Sequence, residues 1–416
     1  MTAAPPQSRQ SGSQAAADPV ESPHAALERP EWQGRRLCVG GRVLTVGRGW
    51  QLADAFAALG VELSQGCAPR AASLVVVRGT LRGHCLIDAE VLEEQPADPG
   101  STPLEFERLQ QGVGARLRLR SRALNEVRSF FQQAGFLEVD TPLRTAECSL
   151  ETNIEPLEAG SSHLITSPEL HMKRLLCAGV PKLFQLVHCF RAEELGAWHA
   201  PEFLMLEWYR AFADWEQVLV DTERLLVRTC EAIRGVASIE LSGGRNIDLR
   251  PPFLRLSVRD AFSRFADVAD AAELAARDED RYFQLLVDRV EPALASYTKP
   301  VFLFDYPSSQ AALARRKPGD PGVAERFELY VAGVELCNGY GELNDAAEQR
   351  LRCELDQERR RALGRPVLGW PERFLAARGQ GMPRASGNAL GLDRWITLLA
   401  GQERIEEVSP FPAAFV

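Results

Sequence analysis

The stretch 183–210, LFQLVHCFRAEELGAWHAPEFLMLEWYR, constrains the fold of this chain more than any other part, because its pattern fits a β-hairpin and little else. Read with a period of two, the first run sets Val187, Cys189, Arg191 and Glu193 against Leu186, His188 and Phe190. The return run sets Phe203, Met205, Glu207 and Tyr209 against Leu204, Leu206 and Trp208. One face is therefore apolar. The other carries Arg191, Glu193, Glu207 and Tyr209 among aromatic and aliphatic neighbours, where a charge persists if it is paired or holds a ligand. Arginine suits phosphate, and a phenyl ring suits the flat face of a purine.

A chain of 416 residues with 45% apolar content has room for one large domain and a smaller one. Its net charge of -9 argues against a broad basic surface for wrapping nucleic acid. The nine cysteines are scattered without CxxC or metal-type spacing, which suits reduced thiols and suggests no zinc site. There is no basic start followed by an apolar run and no stretch of membrane-spanning length, so a cytoplasmic protein with no membrane partner is expected.

Residues 1–34, rich in Ala, Pro, Gln and Ser, read as a disordered tail. Residues 35–94 hold short extended runs, RLCVGGRVLTV, VELSQGC, SLVVVRGTLRG and HCLIDAEVLEE, which predict a small antiparallel barrel with Trp50 and Phe56 as its few aromatics. A linker covers 95–115, and the larger domain runs from 116 to 416. It opens with a helix whose Leu117, Leu124, Val127 and Phe131 share a face and whose end falls at Gly135. Arginines 116, 118, 120 and 122 are expected on its solvated or interface face. In HLITSPELHMKRLL, Ser167 fits an N-cap and Pro168 the first helical turn, with Glu169 at the positive end of the helix dipole. Asp214 to Gly235 forms an amphipathic helix, SGGRNIDL a hairpin, and 256–290 is mostly helical.

ERFELYVAGVELCNGYGEL reads as a second hairpin turning at Ala332 and Gly333, with Glu328 and Glu335 meeting across the turn and Asn338, Tyr340 and Glu342 on the emerging strand. Two carboxylates with no lysine or arginine between them suit a hard cation such as magnesium. In SGNALGLDRWITLLAG, Gly387 and Gly391 allow close backbone approach to a nucleotide, and a helix follows with Arg394 in its first turn.

FRAEE, a loop and HAPEFLMLEWY resemble motif 2 of the class II aminoacyl-tRNA synthetases, most closely the lysyl branch. Together with TSPELHMKRLL, YPSSQAALA, VAERFELYVAGVELCNGYGEL and SGNALGLDR, from about Arg116 to the C-terminus, the chain is similar to a family of free-standing paralogues of lysyl-tRNA synthetase, the elongation factor P (R)-beta-lysine ligases. The fold so implied is α+β, an antiparallel sheet flanked by helices behind an OB-like N-terminal barrel, with a homodimer through motif 1. Ser309, Gln310, Ala311, Ala312 and Leu313 follow the ligase pattern, where lysyl-tRNA synthetases tend to read Ser-Pro-Leu.

The resemblance implies activation of a lysine-type substrate by ATP and transfer to a lysine side chain of elongation factor P. Arg191 would steady the α-phosphate, Arg394 with magnesium on Glu328 and Glu335 the pyrophosphate, and Phe203 would stack on adenine. Glu193, the backbone at Ala200, His199, Leu329 and Gly391 complete the ATP site. Ser167, Glu169, Glu207, Tyr209, Glu335, Asn338, Glu342 and Ala389 would line the amino-acid pocket, Glu342 with Tyr209 holding the terminal amine and Glu169 with Glu207 the other. Most relatives carry asparagine at position 200, so in this chain any side-chain contact there is lost. Two other readings stand beside this one: a lysyl-tRNA synthetase charging tRNA, and an inactive regulatory paralogue. The second is disfavoured by the presence of Arg191, Glu328, Glu335 and Arg394 together.

Overall fold

The computed structural model describes residues 19–46, 49–97, 103–192, 194–311 and 313–412. These fall into two compact units that divide between Ala115 and Arg116.

The first unit is a barrel of strands Arg36–Val46, Gly49–Ala53, Ala58–Leu63, Cys85–Gln95 and Leu74–Arg82 in that spatial order, closed by pairing of the last with the first. All pairings are antiparallel except Ala58–Leu63 with Cys85–Gln95. Strict alternation along Leu74–Arg82 sends Val75, Val77 and Leu81 inward. The strand at Gly49–Ala53 was not anticipated from sequence; it buries Trp50, which is 8% exposed, in the barrel core.

The tail expected over 1–34 is corrected for the described part, since residues from Val20 onward are folded. Val20–Glu21 adds in parallel to the first barrel strand, and a helix Pro23–Glu28 starts where Ser22 Oγ accepts the Ala25 N–H and proline occupies the first turn. Ala26 is fully buried in the barrel core. Residues 1–18 lie outside the described residues. The linker at 95–115 is also more ordered than expected: Leu104–Arg108 is helical, and a wide turn with Gly112 at φ 107° runs into the long helix Gly114–Gln133.

The second unit is built on one sheet with the order Leu254–Ser257, Val301–Pro307, Asp320–Val331, Val334–Gly341, Ala385–Gly391, Glu202–Ala211, Lys182–Phe190 and Leu137–Glu138. Its interior pairings are antiparallel, and the strands at both ends join in parallel. Helices Gly114–Gln133, Trp215–Arg234 and Leu392–Leu399 contribute to the core on one face. Phe131, Phe184, Trp208, Leu226 and Trp395 meet there. The apolar side of the first hairpin, Leu204, Leu206 and Trp208, is spent on this core, and that leaves its charged side to the opposite face. The long helix Trp215–Arg234 carries a capping box at Asp214 and ends at Gly235 with φ 78°, a left-handed position that glycine adopts freely.

Three of the four arginines of the first long helix make bonds within the chain, although Arg122 is also exposed. Arg116 Nε donates to the Glu407 carbonyl (2.7 Å), Arg122 Nη2 to the Ala232 carbonyl (2.6 Å), and Arg120 pairs with Asp393. Asp393 also accepts the Leu204 N–H at 2.7 Å, so this charge ties the helix, the first hairpin and the Leu392–Leu399 helix together. Among the described residues, no helix is long and apolar enough to cross a membrane.

Candidate active site

The free face of the sheet floors a cavity of about 470 Å³. The first hairpin forms one wall. Its register pairs Cys189 with Phe203, Val187 with Met205, Gln185 with Glu207 and Leu183 with Tyr209, which puts Phe203, Glu207 and Tyr209 on the cavity side. The outgoing strand ends at Phe190, so Arg191 stands just past it, fixed by its N–H to the Pro201 carbonyl. Its guanidinium lies 5.0 Å from the centre of the Phe203 ring and 3.0 Å from Glu194, and its buried Nε has no partner. Glu193 lies outside the described residues.

The second hairpin forms another wall. Ala332 (φ 55°) and Gly333 (φ 88°) make the two-residue left-handed turn that matches strand twist. Glu328 faces Asn338 and Tyr330 faces Glu335, with a bulge between. That bulge matters: residues 335 and 338 would point to opposite sides of a regular strand, and the extra residue brings both to the cavity. Glu328 and Glu335 therefore meet diagonally and not directly across the turn. The side chain of Leu329, a residue expected at the ATP site, lies in the core, where alternation pairs it with Cys337, so it is the main chain there that could face a nucleotide.

Glu328 is also more engaged than the sequence implied. It accepts from Tyr306 (2.5 Å) and Tyr330 (2.8 Å) and pairs with Arg326 at 2.6 Å. Arg326, two residues earlier on the same face, is the counter-charge that the stretch between the two glutamates lacks. Glu335 keeps its carboxylate open to the cavity, with Arg394 Nη1 3.7 Å away. Burial and the charge of Glu328 push its carboxyl up to about 7, with Arg394 pulling the other way. A cation beside them would relieve that repulsion. A half-open carboxylate plus a nearly saturated one fits magnesium, which keeps water and phosphate ligands beside one or two carboxylates.

Between the hairpins runs Ala385–Gly391, pairing Ala389 with both Glu207 and Asn338. Arg394, in the helix that follows, donates to the carbonyls of Trp198 (3.1 Å) and Glu335 (2.7 Å) and lies 2.7 Å from His199 Nε2. Burial and then Arg394 lower the His199 pKa, which favours a neutral ring able to accept from the guanidinium. Carbonyls orient Arg394 without cancelling its charge. Ala200 and Gly391 line the same cavity.

A β-carbon at Gly387 would run into the Tyr209 ring and lie 3.0 Å from Glu342 Oε1. Gly387→Ala is thus expected to abolish activity by displacing Tyr209, at a cost to stability of about 1 to 3 kcal/mol; normal kinetics in a folded variant would refute this packing.

The floor is acidic. Ser167 Oγ accepts the Glu169 N–H (3.0 Å) and donates to Glu207 Oε2 (2.8 Å), but the helix begins at Glu169 with Pro168 as its N-cap, one residue later than read from the sequence. Tyr209 donates to Glu207 at 2.5 Å, its neighbour on the same strand face, and not to Glu342. Burial first, then the Glu169 charge, push the Glu207 carboxyl up to about 8. Lys173, which the sequence did not single out, pairs with both Glu169 and Glu342. The loop 149–154 also reaches the cavity, where burial and Glu169 raise the Glu151 carboxyl to about 7. Nothing periodic in that loop could have announced it. Lys173 did leave a signal, a lysine on the buried face of a helix beside Met172 and Leu176.

Comparison with known proteins adds the following. The family described as tRNA synthetases class II (D, K and N) matches residues 106–414. A protein of Proteus mirabilis (strain HI4320) named elongation factor P (R)-beta-lysine ligase is 42% identical over 314 residues, covering 72% of this chain and 95% of the relative. Proteins of the same name from Hamiltonella defensa (38% over 309 residues) and Klebsiella pneumoniae strain 342 (40% over 308 residues) each cover 70% of this chain and 93% of their own length.

Proposed function

We propose, for a chain that belongs to the class II tRNA synthetase family (D, K and N) and within it to the elongation factor P (R)-beta-lysine ligases, that it activates (R)-beta-lysine with ATP and passes the acyl group to a lysine side chain of elongation factor P. The observation that carries this reading is one cavity holding Arg191, Arg394, Glu328 and Glu335 beside the buried carboxylates Glu169, Glu207 and Glu342. Two arginines suit a triphosphate, and buried carboxylates suit a substrate with two amines.

A substrate carboxylate oxygen attacks the α-phosphorus, the bond to pyrophosphate breaks, and the aminoacyl-adenylate then yields its acyl group to the acceptor amine with release of AMP. Arg191, held beside Glu194, would bind the α-phosphate and the attacking carboxylate, and Arg394, anchored by two carbonyls, would bind the departing pyrophosphate. Phe203 offers its ring to adenine, with His199 and the Ala200 backbone beside it. Glu169, Glu207 and Glu342 receive the amines. Magnesium, which Glu335 with Glu328 would hold, supplies further neutralisation of the phosphates when bound. No protein nucleophile is needed.

We place the reaction in the cytoplasm and expect a homodimer through the helix Gly114–Gln133 and the strand after it. Of the two aromatics that the tRNA-charging alternative could use in the barrel, Trp50 is buried in its core and unable to stack on a base, which leaves Phe56, 48% exposed, alone. Every residue to which the reaction assigns a role lies after Arg116. A chain starting at Ser101 is therefore expected to form adenylate at the full-length rate, and a folded truncation without exchange activity would contradict that.

The deciding experiment is ATP–pyrophosphate exchange with beta-lysine and with alpha-lysine, run beside acylation of purified elongation factor P and of tRNA. Beta-lysine exchange with labelling of elongation factor P is the expected result. Acylation of tRNA with alpha-lysine would establish the synthetase reading, and no exchange with either would establish the inactive one.

A further inference from the structure

Lys173 is fully buried, at 0% exposure, between Glu342 (1%) and Glu169 (7%). Its Nζ lies 2.5 Å from Glu342 Oε2 and also pairs with Glu169 Oε1 one helical turn earlier. The rings of Tyr209 and Tyr340 stand 5.7 and 5.8 Å from the ammonium. Burying an ammonium is costly unless it is fully paired, and an apolar side chain on this helix face would pack against Met172 and Leu176 without that cost. The reward must come from the carboxylates it serves.

We propose that Lys173 is a positioning residue for substrate recognition: a resident alkylammonium that pairs with Glu169 and Glu342 in a buried site and offsets their mutual repulsion, so that the floor can accept the ammonium of a diamino acid. This rests on the proposed assignment of those carboxylates to the substrate amines. Two buried carboxylates that meet on one ammonium would repel each other without it. Lys173 removes that conflict. It sits beneath the cavity lining and touches neither ATP nor the reacting carboxylate, so it governs binding of the amino acid more than the rate of the bond-forming step.

The surrounding charges fix the sign of the effect. Burial raises the Glu342 carboxyl to about 7, Lys173 pulls it down, and Glu169 pushes it up. Burial opposes the charge on Lys173, yet Glu169 and Glu342 leave its pKa raised overall. Glu207 and Tyr209 face the cluster from the first hairpin, and Tyr340 from the second. Arg378 stands behind Glu342 with its Nε and Nη2 unpartnered, 2% exposed, and is the cation that remains if Lys173 is removed. Without Lys173 the Glu342 carboxyl would ionise at still higher pH. Affinity for the amino acid would be lost at neutral pH and regained as pH rises, until the substrate amine itself begins to lose its proton at about 10.

The test is amino-acid-dependent ATP–pyrophosphate exchange by the full chain, with KM and kcat measured from pH 6 to 9 for wild type, Lys173→Met and Lys173→Arg. Losing one partner of a buried charge pair predicts a KM for the amino acid raised roughly 30-fold or more at pH 7 in Lys173→Met. That KM should fall toward the wild-type value by pH 9, while the KM for ATP stays close to wild type throughout. Lys173→Arg keeps the charge and should keep the wild-type position of the pH limb even if packing lowers its activity. An equal alkaline shift in the arginine variant, or a pH-independent loss shared by both, would overturn the proposal and leave Lys173 a packing residue. If Lys173→Met does not fold, the arginine profile decides alone, an unshifted limb supporting the proposal and a shifted one refuting it. Should wild type activate no diamino acid, the parent reading and this one fall together; should it do so with unmoved variants, this one falls alone.

Discussion

Replacing Arg191 by alanine is expected to slow ATP–pyrophosphate exchange by about 10²- to 10³-fold, the usual cost of removing one preorganised donor from developing charge. The guanidinium is fixed before substrate arrives: its backbone is bonded to Pro201, its plane lies near Phe203, and Glu194 holds one nitrogen. Its Nε is buried without a partner, the state of a donor aimed at a ligand. Lysine cannot reproduce the planar fork, so Arg191→Lys should recover less than about tenfold of the loss. Burial works against the Arg191 charge, and Glu194 with Glu151 more than restores it, so the alanine variant also strands those acids. Single-turnover measurement of adenylate separates the effects. A defect in adenylate formation at saturating ATP supports a role for Arg191 at the α-phosphate during bond formation, whereas a rise in the KM for ATP alone would make it a binding residue and nothing more.

The first hairpin was legible because alternation is a strong signal wherever one face of a strand is buried, and the register bears out each side-chain direction read for Val187, Cys189, Phe203, Glu207 and Tyr209. The Ala332–Gly333 turn was legible for a similar reason. What escaped depends on contacts that strand period does not encode. The bulge at Leu336, just after Glu335, changes which residues share a face, and nothing in VAGVELCNG announces it. Arg326 could have been paired with Glu328 from alternation alone, but it stands before the first glutamate, outside the stretch between the two where a counter-charge was expected to matter. The arginines of the first long helix look like a solvated stripe in sequence, and become structural only when Glu407, Ala232 and Asp393 arrive from distant parts of the chain. Tyr209 was read with Glu342 as a pair for the terminal amine, and what the sequence left out is that its hydroxyl also goes to Glu207 on its own strand. In each case the type of residue was right to notice, and its partner was set by tertiary structure.

Ala389→Gly is expected to move amino-acid selectivity toward alpha-lysine. Residue 389 lies between Glu207 on one neighbouring strand and Asn338 on the other, and it packs against Ile165, Val187, Cys189 and Met205. Its methyl group therefore narrows the cavity beside a carboxylate that we assign to a substrate amine. In beta-lysine that amine sits one carbon further from the carboxyl than in alpha-lysine. With the carboxyl held at Arg191 and the terminal amine at the floor, the two isomers differ in where the remaining amine meets this wall. A contact the size of one methylene is worth roughly 1 to 3 kcal/mol, so the ratio of kcat/KM for beta- over alpha-lysine should fall by about tenfold to a few hundredfold. The strand itself should tolerate the change, because Gly387 and Gly391 already flank the position and the neighbouring registers are continuous through it. Parallel exchange assays on the two isomers give the ratio directly. A ratio that stays at the wild-type value in a folded variant would mean that the methyl does not touch the discriminating amine, and selectivity would then have to be sought in the carboxylates of the floor.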